Sequence, residues 1–260
     1  MYIITGYNSF IGKNFLQNTS INKKKILKLK RNLKKLKNIK NKEITIINFA
    51  ALYQKKSYSN DINEVINANL IYPTKILQTL IEQNNKIVFF NIASYFQLKE
   101  NFRYKSNTYS VIKNSLIKVL EFFKEKNHIK YYNIFLYDVF GHGDQRDKIF
   151  NTIISCYKKK KILKIKSPNN LIAPVFVTDV CEIIDKYIHD KKKSNEIHIN
   201  NGKIISLQKL CYIAKSVLND LRIVFLKNKN KDYLKIKMLK KYRITKNLEA
   251  SLQDFFKKYV

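Results

Sequence analysis

Glycine is scarce in this chain, 5 among 260 residues, proline scarcer still at 3, and tryptophan is missing altogether. Such a composition excludes collagen-like and glycine/proline-rich low-complexity architectures. Cys156, Cys181 and Cys211 are odd in number, far apart and without a CxxC pair. That pattern excludes a disulfide framework and a cysteine zinc site, leaves no metal expected, and fits a reducing cytoplasm. No apolar run approaches ~20 residues and no leader pattern opens the chain, so neither a membrane span nor export is expected. Negative charge is the remaining shortage: 19 Asp and Glu stand against 51 Lys and Arg, for a net charge of +32.

A positive surface gains affinity for nucleic acid or anionic membranes by releasing counterions. Here, however, only five of the basic residues are arginine, and lysine is the poorer choice for bidentate recognition of phosphates and bases. Lys, Asn and Ile are enriched along the whole length. The excess therefore reads as a compositional bias of the surface, and nucleic acid is not the expected partner.

With 45% hydrophobic residues the chain has the material for a sizeable core. Short apolar runs alternate with amphipathic stretches. "YIIT", "KILKLK", "ITIINFAA", "KIVFFNIAS" and "YYNIFLYDVFG" read as strands, and "GKNFLQ", "INANLIYPTKILQTLIEQ" and "YSVIKNSLIKVLEFFKE" as helices. Such alternation implies an α/β protein with a doubly wound parallel sheet, the architecture of nucleotide-binding domains. The lysine-rich "KKKILKLKRNLKKLKNIKNK" reads as a strand followed by a shortened connection. After "LKIKSPNN" the segments shorten, so the expected division is a nucleotide-binding domain over residues 1–165 and a smaller lobe over 166–260.

Two of the few glycines, Gly6 and Gly12, sit in "IITGYNSFIGKNFL" between a strand and a helix. A strand, a tight turn and a helix whose first amides are unpaired make an anion site. Gly6 permits the turn and Gly12 a close packing of helix on strand, while Ser9 stands where a middle glycine is usual. On their own these glycines could equally be strand terminators. The ribose of a bound dinucleotide is met about twenty positions later. Lys30 and Arg31 stand there and would pair with a 2'-phosphate, which favours NADP(H) over NAD(H).

The spelling "ITGYNSFIG" resembles the glycine turn of the extended short-chain dehydrogenases/reductases, the nucleotide-sugar epimerase and dehydratase family. Further segments share the resemblance. "INFAA", with Ala50 and Ala51, is similar to the family's strand end where the cofactor lies across the sheet, and Asn69 in "NANLIYPTKIL" matches the family's asparagine in the bracing helix. The resemblance implies a Rossmann-like fold and a cofactor contact from Gly6, Ser9, Phe10, Ile11, Gly12, Lys30, Arg31, Ala50 and Ala51. It also implies a homodimer acting on a nucleotide sugar.

Tyr109 and Lys113 form a YxxxK motif, one of six in the chain, and only its place singles it out: it opens the long helix behind the strand ending in "NIAS". Residues four apart share a helix face, so the Lys113 ammonium is expected to draw the phenol down from its usual ~10 toward working pH. In the family this pair does the proton chemistry, Lys113 also holds the nicotinamide ribose, and Ser94 completes the set at the reacting oxygen. "LYDVFGHGDQRDK" (136–148) resembles the family's loop forming a wall of the sugar-nucleotide pocket. Asp138, Gly141, Gly143, Asp144 and Arg146 match its pattern, with Asp138 and Arg146 as substrate contacts, and residues 138–150 are expected to contribute to that pocket. His142 replaces the usual proline and reads either as an acid/base group or as a surface loop histidine. Asp179 in "VFVTDVCEII" and "NLEASLQDFFKKY" continue the likeness to the end.

Dehydratases of this family carry an Asp-Glu pair after the catalytic Thr, whereas this chain has Tyr95 and Phe96 after Ser94. The fifteen-position spacing from Ser94 to Tyr109 and the local spellings look most like the branch of reductases that makes CDP-3,6-dideoxyhexoses such as abequose and paratose. The expectation is NADPH-dependent reduction of a 4-keto group on a nucleotide-linked deoxy sugar for surface polysaccharide. An NAD(P)-dependent epimerase, and a catalytically silent nucleotide- or nucleic-acid-binding protein, remain the alternatives.

Overall fold

A computed structural model describes residues 1–40, 42–53, 62–98, 108–190, 194–226, 242–244 and 246–260. The chain divides into two units, residues 1–136 with 181–198, and residues 137–180 with 199–260. The sequence reading draws one boundary at 165. The structure instead places part of the helix Val177–His189 with the first unit, from Cys181 onward.

In the first unit the strands β1 (Tyr2–Thr5), β2 (Ile26–Leu29), β3 (Glu43–Asn48), β4 (Lys86–Ser94) and β5 (Ile129–Leu136) lie in the order β2-β1-β3-β4-β5, and the start of β10 (Glu196–Asn200), as far as His198, continues the sheet beside β5. The pairs β1–β2, β1–β3, β3–β4 and β4–β5 are parallel. This is the doubly wound α/β sheet expected. Its winding reverses at β1 and β3, whose C-terminal ends form the crevice where such folds take ligands. The shortened connection expected between β2 and β3 contains a single 3-10 turn, Leu33–Leu36, anchored by the buried Leu36.

Each face of the sheet is covered by helices. Ile3, Ile46, Phe89 and Ile129 pack against Ile76, Leu77, Leu80, Leu116 and Leu120 of the helices Tyr72–Ile81 and Thr108–Glu125. On the opposite face Phe15 meets Phe49 at 5.1 Å between ring centroids, and Tyr187 meets Phe90 edge-on at 5.9 Å.

In the second unit β6 (Asp138–Phe140) pairs with β9 (Pro174–Phe176), β7 (Leu163–Ile165) with β12 (Ile223–Phe225), and β8 (Leu171–Ile172) with β11 (Ile205–Ser206). The core gathers on Phe140, stacked on Phe150 at 4.6 Å and edge-on to Phe255 of the last helix, Leu248–Lys257. The run "YYNIFLYDVFG" is thus not one strand. Pairing of β4 with β5 ends at Ser94–Leu136, and the chain after Tyr137 finds its partners in β9.

A polar row crosses the first sheet near its C-terminal edge. Thr5, Asn48, Asn91 and Asn133 are successive register partners on β1, β3, β4 and β5 and therefore share a face. Thr5 Oγ1 donates to Asn48 Oδ1 (2.6 Å) and Asn91 Nδ2 to Asn133 Oδ1 (2.9 Å). Asn91→Leu alone leaves the Asn133 amide oxygen buried without its donor, at an expected cost of about 2 kcal/mol. Asn91→Leu/Asn133→Leu, which removes both halves, recovers at least half of that loss, as read from urea unfolding midpoints at unchanged m-value.

Candidate active site

The glycine turn forms as its sequence requires. Gly6 has φ +60°, and a Cβ there would lie 2.3 Å from the Ala50 nitrogen and 2.4 Å from the Phe49 carbonyl carbon. Only glycine permits both this backbone and this approach to the end of β3. A Cβ on Gly12 would lie 2.3 Å from the Gly6 oxygen, so the helix Phe10–Asn18 can start this close to the strand only with glycine there.

Ser9 is the N-cap of that helix. Its Oγ accepts from Gly12 N–H (3.1 Å), and its own N–H donates to Gly6 O (2.8 Å). The serine therefore shapes the turn rather than simply standing in for a glycine. No acidic residue occupies the first helical turn, and the Ile11 amide has no partner among the described residues. A strand, a glycine-only turn and an amide open to an anion fit the pyrophosphate of a dinucleotide. Gly6, Ser9, Phe10, Ile11 and Gly12 would hold it.

Ala50 and Ala51 follow β3 directly. Ala50 N–H lies 3.4 Å from Thr5 Oγ1, and the segment is fastened by Asn69, whose Nδ2 donates to Leu52 O (2.8 Å) and Val65 O (2.9 Å). Asn69 is buried within the π-helical turn Asn67–Ile71. Lys30 and Arg31 are exposed just beyond β2.

Ser94 ends β4 and opens the turn Tyr95–Gln97. Its Oγ accepts from Phe96 N–H (3.3 Å), while its backbone N–H donates to Gln97 Oε1 (2.7 Å), a reciprocal capping box. With the hydroxyl oxygen accepting, its proton has no acceptor among the described residues. Gln97 Nε2 in turn donates to Asn114 Oδ1 (3.3 Å), and Asn114 Nδ2 to Gln97 O (3.2 Å). This reciprocal pair ties the Ser94 turn to the helix of Tyr109 and Lys113. Sequence reasoning missed both Gln97 and Asn114, although Ser-x-x-Gln at 94–97 is a capping signature.

Lys113 is fully buried, and its ammonium donates to the carbonyl of Ile92 at 2.7 Å. The bond described for it goes to the strand rather than to the Tyr109 phenol. β3 stops pairing with β4 at Asn91, so Ile92 lies just past the end of that ladder. Burial lowers the Lys113 ammonium to about 8. Tyr109, one turn earlier on the helix, is half-buried with its ring edge-on to Tyr53 at 5.3 Å.

In the second unit, Asp138 Oδ2 accepts from Ala173 N–H (2.9 Å) and so braces the β6–β9 pairing. Arg146 forks onto Asp144, Nε to Oδ1 and Nη2 to Oδ2, each 2.7 Å, and Nη2 also donates to Val139 O (3.0 Å). Both residues expected to touch substrate are thus engaged in shaping their own loop. Gly143 has φ +76°. His142 is neither an open acid/base group nor a bare surface histidine: its ring packs at 4.9 Å on Phe255, with Nδ1 3.4 Å from Tyr259 Oη. Burial and the Lys258 cation lower its pKa. Asp179 is buried and paired with Lys246. Among the described residues no His, Cys, Asp and Glu cluster could hold a metal, and no helix is long and apolar enough to cross a membrane.

The chain matches the NAD dependent epimerase/dehydratase family over residues 2–202 and belongs to it. Among individual relatives, it is 33% identical over 141 residues to a CDP-abequose synthase of Yersinia pseudotuberculosis, covering 54% of this chain and 49% of that protein. It is 27% identical over 181 residues to a CDP-abequose synthase of Salmonella typhimurium, covering 67% and 59%. The alignments thus span about half the length of these relatives. The fold of UDP-N-acetylglucosamine 4-epimerase from Methanobrevibacter ruminantium M1, solved with UDP-N-acetylmuramic acid, superposes with a TM-score of 0.75 at 17% identity over 98% of this chain and 96% of that one.

The depressed Lys113 gives a pH signature. The unfolded lysine keeps its proton to about 10.5, whereas the folded one releases it near 8. Between those values the unfolded state binds more protons, so this group makes stability rise with pH from about 8 and contributes no slope below. Lys113→Met is expected to remove that rise, measured as the difference between wild-type and variant unfolding free energies from pH 7 to 10.

Proposed function

We propose that this protein is an NADPH-dependent oxidoreductase that reduces the 4-keto group of a nucleotide-linked deoxy sugar. The observation that carries this reading is what surrounds Ser94. Lys113 anchors the tyrosine helix to Ile92, and Asn114 of the same helix is bound to Gln97 of the turn that Ser94 opens. The two positions after Ser94 hold Tyr95 and Phe96, rings 4.5 Å apart. A dehydratase needs a carboxylic acid pair there, whereas keto reduction needs only the serine, tyrosine and lysine. The two CDP-abequose synthases point to a CDP-linked dideoxy sugar as the substrate class.

Bound over the glycine turn, the dinucleotide would supply the hydride for the C4 carbon. Tyr109 gives its proton to the C4 oxygen as that carbon is reduced, leaving an alcohol and a phenolate that regains its proton from solvent. Ser94 donates its hydroxyl hydrogen to the same oxygen. Lys113, with two N–H donors beyond the one given to Ile92, holds the nicotinamide ribose and favours the phenolate. Arg31 beside Lys30 favours the 2'-phosphorylated cofactor. Asp138 and Arg146 serve substrate binding by fixing the loop 136–148. The reading includes a homodimer, as the resemblance implies, working in the reducing cytoplasm that the unpaired cysteines fit.

Purified protein given NADPH and a CDP-4-keto-3,6-dideoxyhexose is expected to lose nicotinamide absorbance one-for-one with the 4-hydroxy product. Tyr109→Phe lowers kcat by roughly 10²-fold or more. A redox-neutral epimer formed without loss of absorbance assigns the protein to the epimerases instead, and full activity in Tyr109→Phe rejects the mechanism.

A further inference from the structure

We infer that Tyr72 is a positioning residue for cofactor choice, its hydroxyl fixing the Lys30–Arg31 backbone so that Arg31 presents its guanidinium to the 2'-phosphate of the adenosine ribose. The inference rests on the NADP(H) reading of the preceding section and goes beyond it by naming what makes an exposed arginine selective.

Tyr72 Oη donates to Lys30 O at 2.8 Å and lies 3.4 Å from Leu29 O, the last residue of β2. On the other side of Arg31, Asn32 caps the 3-10 turn by accepting from Lys34 N–H at 2.9 Å, and the turn is seated by the buried Leu36. Arg31 is thus held between two anchors, one residue away on either side. Its side chain is exposed and makes no ion pair among the described residues. An exposed guanidinium on a loose loop loses most of its pairing energy to ordering, whereas one on a pinned backbone keeps the fork geometry that phosphate recognition needs.

The surroundings agree with this role. The Tyr72 phenol is pushed up to about 12, chiefly by burial and secondly by the nearby Tyr7, with Arg31 acting the other way. Tyr72 therefore remains a hydrogen-bond donor at any working pH, and Tyr7 of the glycine turn lies in the same electrostatic neighbourhood. The position of Tyr72 follows from the π-helical turn Asn67–Ile71 just before it, since an extra residue in a turn rotates everything that follows around the helix axis. The same turn holds Asn69, so one irregularity in one helix serves both the Ala50–Leu52 segment and the Lys30–Arg31 backbone.

The test titrates the full chain with NADP+ and with NAD+ by calorimetry, which needs no sugar substrate. Tyr72→Phe is expected to weaken NADP+ binding about three- to tenfold, the scale of one lost hydrogen bond, and to leave NAD+ within about twofold. Asn32→Ala, which frees the other anchor from an exposed position, gives the same selective loss and covers the case in which Tyr72→Phe does not fold. Arg31→Ala separates the two claims. If it weakens both nucleotides alike, the NADP(H) reading itself fails. If it is selective for NADP+ while Tyr72→Phe and Asn32→Ala weaken both nucleotides equally, or neither, the positioning role of Tyr72 is overturned.

Discussion

A fully buried ammonium held by one carbonyl is the constraint on which the site's geometry depends. Removing a lysine from water costs several kcal/mol unless polar groups compensate, and here the described compensation is the Ile92 carbonyl, available because β3 has already left the sheet. The contact sets the helix Thr108–Glu125 at one height along β4. Leu116 and Leu120, further along the helix, then pack on the sheet face, while Asn114 meets Gln97 and tethers the turn that begins at Ser94. Tyr109 is placed as a consequence, one turn before the anchor and with its ring edge-on to Tyr53.

The same logic explains why the sheet changes character toward its C-terminal edge. Below it, the face toward the helix pair is Ile3, Ile46, Phe89 and Tyr131; two positions on, it is Thr5, Asn48, Asn91 and Asn133. Asn48 Nδ2 and Asn91 Oδ1, on paired positions, have no hydrogen-bond partner among the described residues. Polar groups buried at that level sacrifice stability that leucine or isoleucine would supply. They lie beneath the edge from which the glycine turn, the alanine pair and Ser94 all emerge, where a folded domain tends to carry its functional strain.

Much of this was legible from local pattern. The glycine turn, the strands of the first unit and the tyrosine helix each follow from apolar periodicity and from residues whose backbone demands are local. What stayed hidden depends on partners remote in sequence. Nothing in "YYNIFLYDVFG" announces that β4 runs out opposite Leu136, so an uninterrupted apolar run conceals two strands in two units. The helix beginning at Val177 reads as part of a C-terminal lobe because sequence order says nothing of Tyr187 packing on Phe90. Arg146 has the residue type of a phosphate ligand, and only the folded structure shows its fork closed on Asp144, with Asn151 donating to the backbone carbonyls of both residues. The capping box at Ser94 was readable and carried more positional information than the YxxxK motif, which six segments share.

The degree of burial at Lys113 also sets the charge it carries. Full exposure would leave the ammonium charged but screened by water, with little influence on a neighbouring oxygen. Deeper desolvation without an acceptor would drive the proton off at neutral pH and leave an amine that stabilises no negative charge. A value of about 8 lies between these limits, so the group remains charged at neutral pH although it is buried. One carbonyl, just past the last β3–β4 pair at Asn48 and Asn91, receives that buried ammonium.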